Sequence, residues 1–265
     1  AALLFSEDAA RVRLASGGAV TARLAIAAEG RDSPARDALG IRARRVDYGQ
    51  QALVFWVAHG RPHAQVSTET WRDGGPFTLV PLPDAPDAPL ERRHRSSVVW
   101  MVSNAEAAEL TALDAQDFGL AATARSLGAL GPLTLISERA ARPIISMIAD
   151  RFAGPRAALL GEAAHVVPPI GAQGLNMSLA DAADLADRVA AARAAGGDIG
   201  APALLSDYEA ARRGDARARV AATAGLNLAA IGALHPIRAA RRLGLATLGA
   251  SSVLRRAAMR YGLGG

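Results

Sequence analysis

The stretch Ala157–Asp187, AALLGEAAHVVPPIGAQGLNMSLADAADLAD, constrains the fold more than any other part of the chain. It opens on a short apolar run, Ala157-Ala158-Leu159-Leu160, of a length suited to a buried strand. Gly161-Glu162 follows at the strand's C-terminal end, where α/β sheets collect ligand-binding groups. A loop stiffened by Pro168-Pro169 and loosened by Gly171 and Gly174 then leads into a helical pattern beginning near Leu175 and Asn176. Leu175, Leu179, Ala182, Ala183 and Leu185 are predicted to share one face of that helix. Strand, acidic turn, Gly/Pro loop and helix together make a scaffold for a flat, polar or anionic cofactor. The start of a helix presents N–H groups without intrahelical partners, and glycines let the backbone come close to a ligand.

A second patch, Leu24-Ala25-Ile26-Ala27-Ala28-Glu29-Gly30-Arg31-Asp32-Ser33-Pro34-Ala35-Arg36, repeats the theme: an apolar strand ends in an acidic-Gly turn, with Ser33 and Arg36 just beyond.

GEAAHVVPPIGAQGLN resembles the second flavin-binding motif of the class A FAD-dependent aromatic hydroxylases (para-hydroxybenzoate hydroxylase-like), usually written GDAAH-x-x-P-P-x-G-x-x-G-L-N. PPIGAQGLN and the Leu-rich acidic helix after it are most similar to the ubiquinone-biosynthesis branch, the 2-polyprenyl-6-methoxyphenol hydroxylases being the nearest named group. AEGRDSPAR resembles the family's middle motif, ADG-x-x-S-x-x-R, and the separation of the two motifs matches the family. Glu29 and Glu162 stand where the family usually has aspartate, so each carboxylate keeps its charge but sits one methylene further out.

The resemblance implies an α/β (α+β) fold: a partial FAD-binding Rossmann-like domain, an antiparallel substrate domain and a helical C-terminal region. The expected divisions are 1–40 for the part holding the middle motif and 41–145 for the substrate sheet. Residues 146–195 would be the return to the FAD-binding domain, and 196–265 the helical region. It implies FAD as cofactor, with NAD(P)H or another electron donor, held through Glu29, Gly30, Arg36, Gly161, Glu162, Pro168, Gly171, Gly174, Leu175 and Asn176. No side chain is expected to be catalytic, because the flavin carries the chemistry. The implied co-reactants are O2 and a hydrophobic phenol. The family's N-terminal βαβ unit with G-x-G-x-x-G, which holds the pyrophosphate, has no counterpart in residues 1–30. Gly17-Gly18 reads instead as a hairpin turn between two alternating strands. The chain thus reads as the C-terminal part of a longer family member, expected alone to bind FAD weakly.

Composition narrows the rest. Cysteine is absent, which excludes disulfides, thiolate metal sites and cysteine nucleophiles. No His/Asp metal spacing, Ser-His-Asp order or P-loop emerges, so no metal is expected. Ala1-Ala2-Leu3-Leu4-Phe5 is too short for the apolar core of a secretory signal, and no charge-free run reaches membrane-spanning length. The expected location is cytoplasmic, peripheral to the inner membrane of a high-GC bacterium. The net charge is +5, yet every basic residue is arginine; that pattern fits codon bias rather than a nucleic-acid surface. From Arg188 onward arginine dominates, including Arg212-Arg213, Arg217, Arg219, Arg238, Arg241-Arg242 and Arg255-Arg256. These read either as solvated helix faces or as a basic surface for anionic lipid headgroups. Short β-like runs between Val46 and Ser103 contain all three tryptophans and predict an antiparallel sheet. Ser103 or Asn104 is expected to cap one helix and Asp114 another. His165 is expected to be structural, while His59, His63 and His94 read as isolated. Two alternatives to a quinone-pathway hydroxylase stand: a flavin monooxygenase acting on another aromatic ring, and a non-catalytic remnant or scaffold in a quinone-synthesis complex.

Overall fold

A computed structural model describes residues 2–72, 74–171, 173–231, 250–253 and 256. In chain order its main elements begin with β1 (Ala2–Phe5), β2 (Ala10–Arg13), β3 (Ala19–Ala22), β4 (Ala25–Ala27), α1 (Pro34–Ala38) and β5 (Ala43–His59). Next come β6 (Thr68–Arg72), β7 (Gly75–Leu82), β8 (His94–Ser103), α2 (Asn104–Ala112), α3 (Ala115–Arg125) and β9 (Thr134–Leu135). β10 (Ala140–Ala149), β11 (Ala153–Gly154), β12 (Ala157–Leu159), β13 (His165–Val166), α4 (Gln173–Ala194) and α5 (Pro202–Ile231) complete the order. The fold is mixed α/β, and its residues divide into two compact units. One takes in 1–46 and 145–225; the other takes in 47–144 and the end of α5 from Leu226.

In the first unit, β1, β2 and β3 form an antiparallel meander, with the hairpin expected at Gly17-Gly18 between β2 and β3. A second sheet has the order β11-β12-β4. There β12 runs parallel to β4, pairing Ala157 with Ala25 and Leu159 with Ala27. Parallel pairing puts the C-terminal ends of both strands at one edge, so the turns that follow them emerge side by side. Phe152, Leu159, Met177, Leu185, Leu205 and Tyr208 form the core, filled in by Ala158, Ala163 and Ala164. Each large side chain contributes about 1.5–3 kcal/mol by leaving water. The small alanines let α4 and α5 approach the strands.

The face expected on α4 is buried at Leu185 but not at its first two leucines. Leu175 and Leu179 are 69% and 59% exposed, and the buried stripe of α4 is Met177, Asp181 and Leu185, spaced i, i+4, i+8. The buried stripe shares Leu185 with the expected face, but an apolar count passes over its centre because that residue is an aspartate.

The second unit is built on antiparallel strands in the order β5-β8-β7-β6, with β9 and β10 on the other edge of β5. Leu53, Phe55 and Val57 alternate inward along β5 and meet Val98, Trp100 and Val102 of β8 beneath α3, where Phe118 stands edge-on to Phe55 at 4.7 Å. Ser103 caps α2 in a reciprocal capping box with Glu106, and the Asp114 side chain accepts from Asp117 N to cap α3. β5 is far longer than the apolar core of its sequence, because polar residues Arg44–Gln51 continue the ladder.

Candidate functional site

The two acidic turns expected to face one cofactor do emerge side by side in the first unit. Leu160 N donates to Ala27 O at 2.9 Å, carrying the β4–β12 pairing to the strand ends. Beyond it the Arg31 guanidinium grips both Glu162 oxygens, Nε donating to Oε2 at 3.1 Å and Nη2 to Oε1 at 3.3 Å. Glu29 turns back instead, its Oε1 accepting from Ala35 N at 2.8 Å at the start of α1. Ser33 caps the same helix by accepting from Arg36 N, and Pro34 occupies the first turn, where no N–H is needed. The Arg36 guanidinium is buried and donates to the carbonyls of Arg31 and Ala163 at 3.0 and 3.2 Å. These bonds tie the two turns together from inside.

Gly30 and Gly161 both sit in the left-handed region, with φ of +95° and +59°. Around Gly30 a Cβ would meet open space, whereas at Gly161 it would come within 2.9 Å of Ser178 Oγ. Gly30 therefore leaves room for an outside group, and Gly161 lets α4 pack against the turn. Pro168 is buried, and Ile170 N donates to its carbonyl at 2.7 Å, tightening the loop before Gly171, whose φ is +67°. Gly174, Leu175 and Asn176 lie in the first turn of α4, among the amides for which a helix has no acceptor of its own. Leu175 is exposed there.

Behind the turn lies a buried polar knot that the sequence reading missed in part. Asp181 is fully buried; its Oδ2 accepts from Gly161 N at 3.1 Å and from His165 Nε2 at 2.6 Å, and its Oδ1 accepts from Arg212 Nε at 2.8 Å. Burial alone would push this carboxyl up, but the hydrogen bonds and charge of His165, Arg212 and Gly161 N outweigh it and hold Asp181 below the ordinary aspartate range. Tyr208, pushed far up by burial, donates to Leu159 O at 2.8 Å. His165 is thus structural, as its place in the motif implied. Arg31, Asp181 and Arg212 were not anticipated; the signal for Asp181 is an acid four residues from Met177 and from Leu185 on one helix stripe.

Arg31, Arg36, Arg42, Arg45 and Met147 also line a cavity of about 520 Å³ next to the Arg31–Glu162 pair. A larger one, about 960 Å³, is lined by Ala153–Arg156, Leu205, Glu209 and Arg213, at the N-terminal end of β12 and so away from the acidic turns. Among the described residues no cluster could hold a metal ion, and no helix is long and apolar enough to cross a membrane.

In the second unit His59, His63 and His94 are not isolated. Their ring centroids lie 5.9–6.1 Å apart, around Asp84. His59 Nδ1 donates to Arg61 O at 2.8 Å, so its neutral Nε2 accepts from Ser96 Oγ at 2.9 Å. Burial pushes the His59 pKa down. The three residues come from the end of one strand, a loop and the start of the neighbouring strand, which sequence spacing does not reveal.

A parallel strand pair thus ends in two linked acidic turns, next to a Gly/Pro loop that opens a helix. The model of the FAD binding domain matches residues 6–223. The ubiquinone hydroxylase UbiL of Rhodospirillum rubrum is 36% identical over 257 residues, covering 97% of this chain and 58% of its own length. The 3-demethoxyubiquinol 3-hydroxylase of Escherichia coli is 27% identical, covering 97% and 63%. The chain therefore spans about three fifths of the length of these relatives. The structure of p-nitrophenol 4-monooxygenase PnpA from Pseudomonas putida superposes with a TM-score of 0.75 at 17% identity, covering 98% of this chain and 65% of that one, a likeness of fold. With the motifs, the strand topology and the family match in agreement, this chain belongs to the FAD-binding domain family.

Proposed function

We propose that this chain is the flavin-ring and substrate part of an FAD-dependent monooxygenase that hydroxylates a hydrophobic phenol in ubiquinone biosynthesis. The observation that carries the reading is the Arg31–Glu162 pair, which joins the two motif turns at the ends of adjacent parallel strands. When bound, FAD would supply the redox chemistry by which one oxygen atom of O2 reaches the ring. The chain's own residues orient and shield. Glu162 is half exposed and stands where a ribose hydroxyl could donate to it. Gly30 and Gly171 allow close approach, and the first turn of α4 offers Gly174, Leu175 and Asn176 amides and the positive end of its dipole to charge developing on the ring's pyrimidine edge. Glu29, Arg36 and Pro168 hold these groups in place rather than touch the cofactor directly. The arginine-lined cavity beside Arg31 suits the phosphates of a nicotinamide donor. In the second unit, the sheet face opposite α2 and α3, with half-exposed Trp56, supplies apolar surface for the substrate.

Membership of a quinone-synthesis complex and attachment to an anionic membrane belong to the same proposal. Of the tail arginines, Arg193 and Arg217 are exposed, whereas Arg212 and Arg219 turn inward; Arg238, Arg241, Arg242 and Arg255 lie outside the described residues. The deciding experiment is titration of the chain with FAD, followed by donor-dependent O2 uptake with a polyprenyl phenol in a protein that also carries a pyrophosphate-binding unit. Incorporation of labelled O2 into the ring is the expected result; flavin binding without phenol-stimulated O2 uptake would overturn the hydroxylase reading. Co-sedimentation with anionic and neutral vesicles tests the membrane surface, which falls if both bind alike.

A further inference from the structure

The Gly161–Glu162 turn and the first turn of α4 are joined through α5 by a continuous line of charge. It begins at Asp181, which holds Gly161 N and takes Arg212 Nε. Arg212 Nη2 donates onward to Asp215 at 3.3 Å. Asp215 accepts from Arg219 Nε at 2.9 and 3.1 Å, and Arg219 Nη1 donates to Gln173 Oε1 at 2.9 Å. Gln173 is the first residue of α4. The signs alternate along the path (Asp181, Arg212, Asp215, Arg219) and sum to zero. The Asp181 side chain is fully buried, and those of Arg212 and Arg219 are 13% and 10% exposed.

We infer that Arg219, backed by Asp215 and Arg212, is a positioning residue of the cofactor site: it fixes the first turn of α4 against the Gly161–Glu162 turn. The Asp215–Arg219 pair by itself is an ordinary i,i+4 helix pair of small effect. What sets Arg219 apart is the crossing to Gln173, which lies between Gly171 and Gly174, where the backbone is most permissive. The guanidinium fork holds Asp215 through Nε and still has Nη1 to give; a lysine has one nitrogen and cannot span both partners in the same geometry. This inference rests on the flavin reading for what the brace is for, but not for whether it exists.

The test uses the whole chain with Arg219→Met, Arg219→Lys, Gln173→Met and the double variant Arg219→Met/Gln173→Met. Amide hydrogen exchange without added FAD should speed about tenfold or more at residues 177–179, whose amides bond back to the first-turn carbonyls, in each single variant, and stay unchanged at β4 and β12. The double variant should be no worse than either single, as for two ends of one link. The FAD dissociation constant should rise about tenfold alongside, with Arg219→Lys failing to rescue. Unchanged exchange at 177–179, or additive effects of the two substitutions, overturns the brace. Faster exchange with FAD affinity equal to wild type overturns its positioning role. Variants that show the exchange pattern, in a protein that takes up no FAD even when it also carries a pyrophosphate-binding unit, leave the brace standing and remove the flavin reading instead.

Discussion

Two polar clusters are built on the same parts, a carboxylate and histidine, yet they solve burial differently. In the first unit Asp181 is wholly buried and carries its charge because Arg212 neutralises it and three donors fill its oxygens. In the second, Asp84 keeps 43% of its side chain in solvent while His59, fully buried, gives up its charge. The first cluster therefore trades desolvation for a complete set of partners, and the second avoids the cost by keeping its buried member neutral. The difference predicts what acid and mutation do to each.

The largest expected effect is at Asp181. Asp181→Leu removes the acceptor for Gly161 N and His165 and leaves Arg212 with only its weaker bond to Asp215. Breaking a buried pair from one side costs about 3–5 kcal/mol. Asp84→Asn should shift the unfolding midpoint only slightly, because the Asp84 carboxylate itself stays largely in water. Urea unfolding of the two variants checks the contrast, and equal losses would erase it.

Acid separates the clusters next. The folded His59 pKa lies below its unfolded value near 6.5, so between the two the unfolded chain binds a proton that the folded chain refuses. Stability of the second unit is complete above that value and declines as pH falls through it. Asp181 also has a lowered pKa, but as an acid: its contribution is present above the unfolded aspartate value near 3.9 and is lost only as pH falls below it. Trp56, Trp71 and Trp100 all report on the second unit, so tryptophan fluorescence should show its urea midpoint falling between pH 7 and 5. Exchange at β12 in the first unit should stay slow over that range. His59→Gln should flatten the fluorescence dependence; an unchanged slope would assign it elsewhere.

The same contrast explains what could be read from the sequence. The motif turns, the β2–β3 hairpin and the caps Ser103 and Asp114 depend on residues close in sequence, where one residue type has one geometric use. Arg31 stood inside the middle motif, yet its partner Glu162 comes from the other motif, and only the parallel pairing of β4 with β12 brings them together. The histidine cluster depends in the same way on β5–β8 register, which pairs His59 with His94. The inner face of α4 was misread because Asp181 counts as polar until its partners are known. The α5 arginines looked like a solvent or lipid face for the same reason: charge pairing across helices leaves no periodic trace.

A smaller effect is expected at Gly161. An alanine would have to hold φ near +59°, at about 1–2 kcal/mol, with its Cβ crowding Ser178 Oγ. Ser178→Ala in the same chain should recover the steric part and leave the backbone part. Full recovery would mean that the left-handed turn itself costs nothing there. Gly30→Ala, in open space with φ +95°, isolates the backbone part alone.

The smallest stability effect belongs to the residue proposed to meet the flavin's ribose. The Arg31–Glu162 pair has 27% and 49% of its side chains in water, so solvent screening leaves it little to contribute to folding. Glu162→Gln should leave the unfolding midpoint nearly unchanged and, if the carboxylate receives a ribose hydroxyl, weaken FAD binding by about tenfold, the scale of one charge-assisted hydrogen bond. Glu162→Asp restores the residue usual in the resembling family but draws the carboxylate back by one methylene. Because Arg31 now meets both oxygens of the longer side chain, the shorter one should loosen that grip without removing the charge. FAD affinity ordered Glu, then Asp, then Gln would place the carboxylate on the cofactor. Equal affinity for all three, with stability also equal, would reduce Glu162 to a surface partner of Arg31 and leave the amides of α4 as the principal cofactor contacts of this corner.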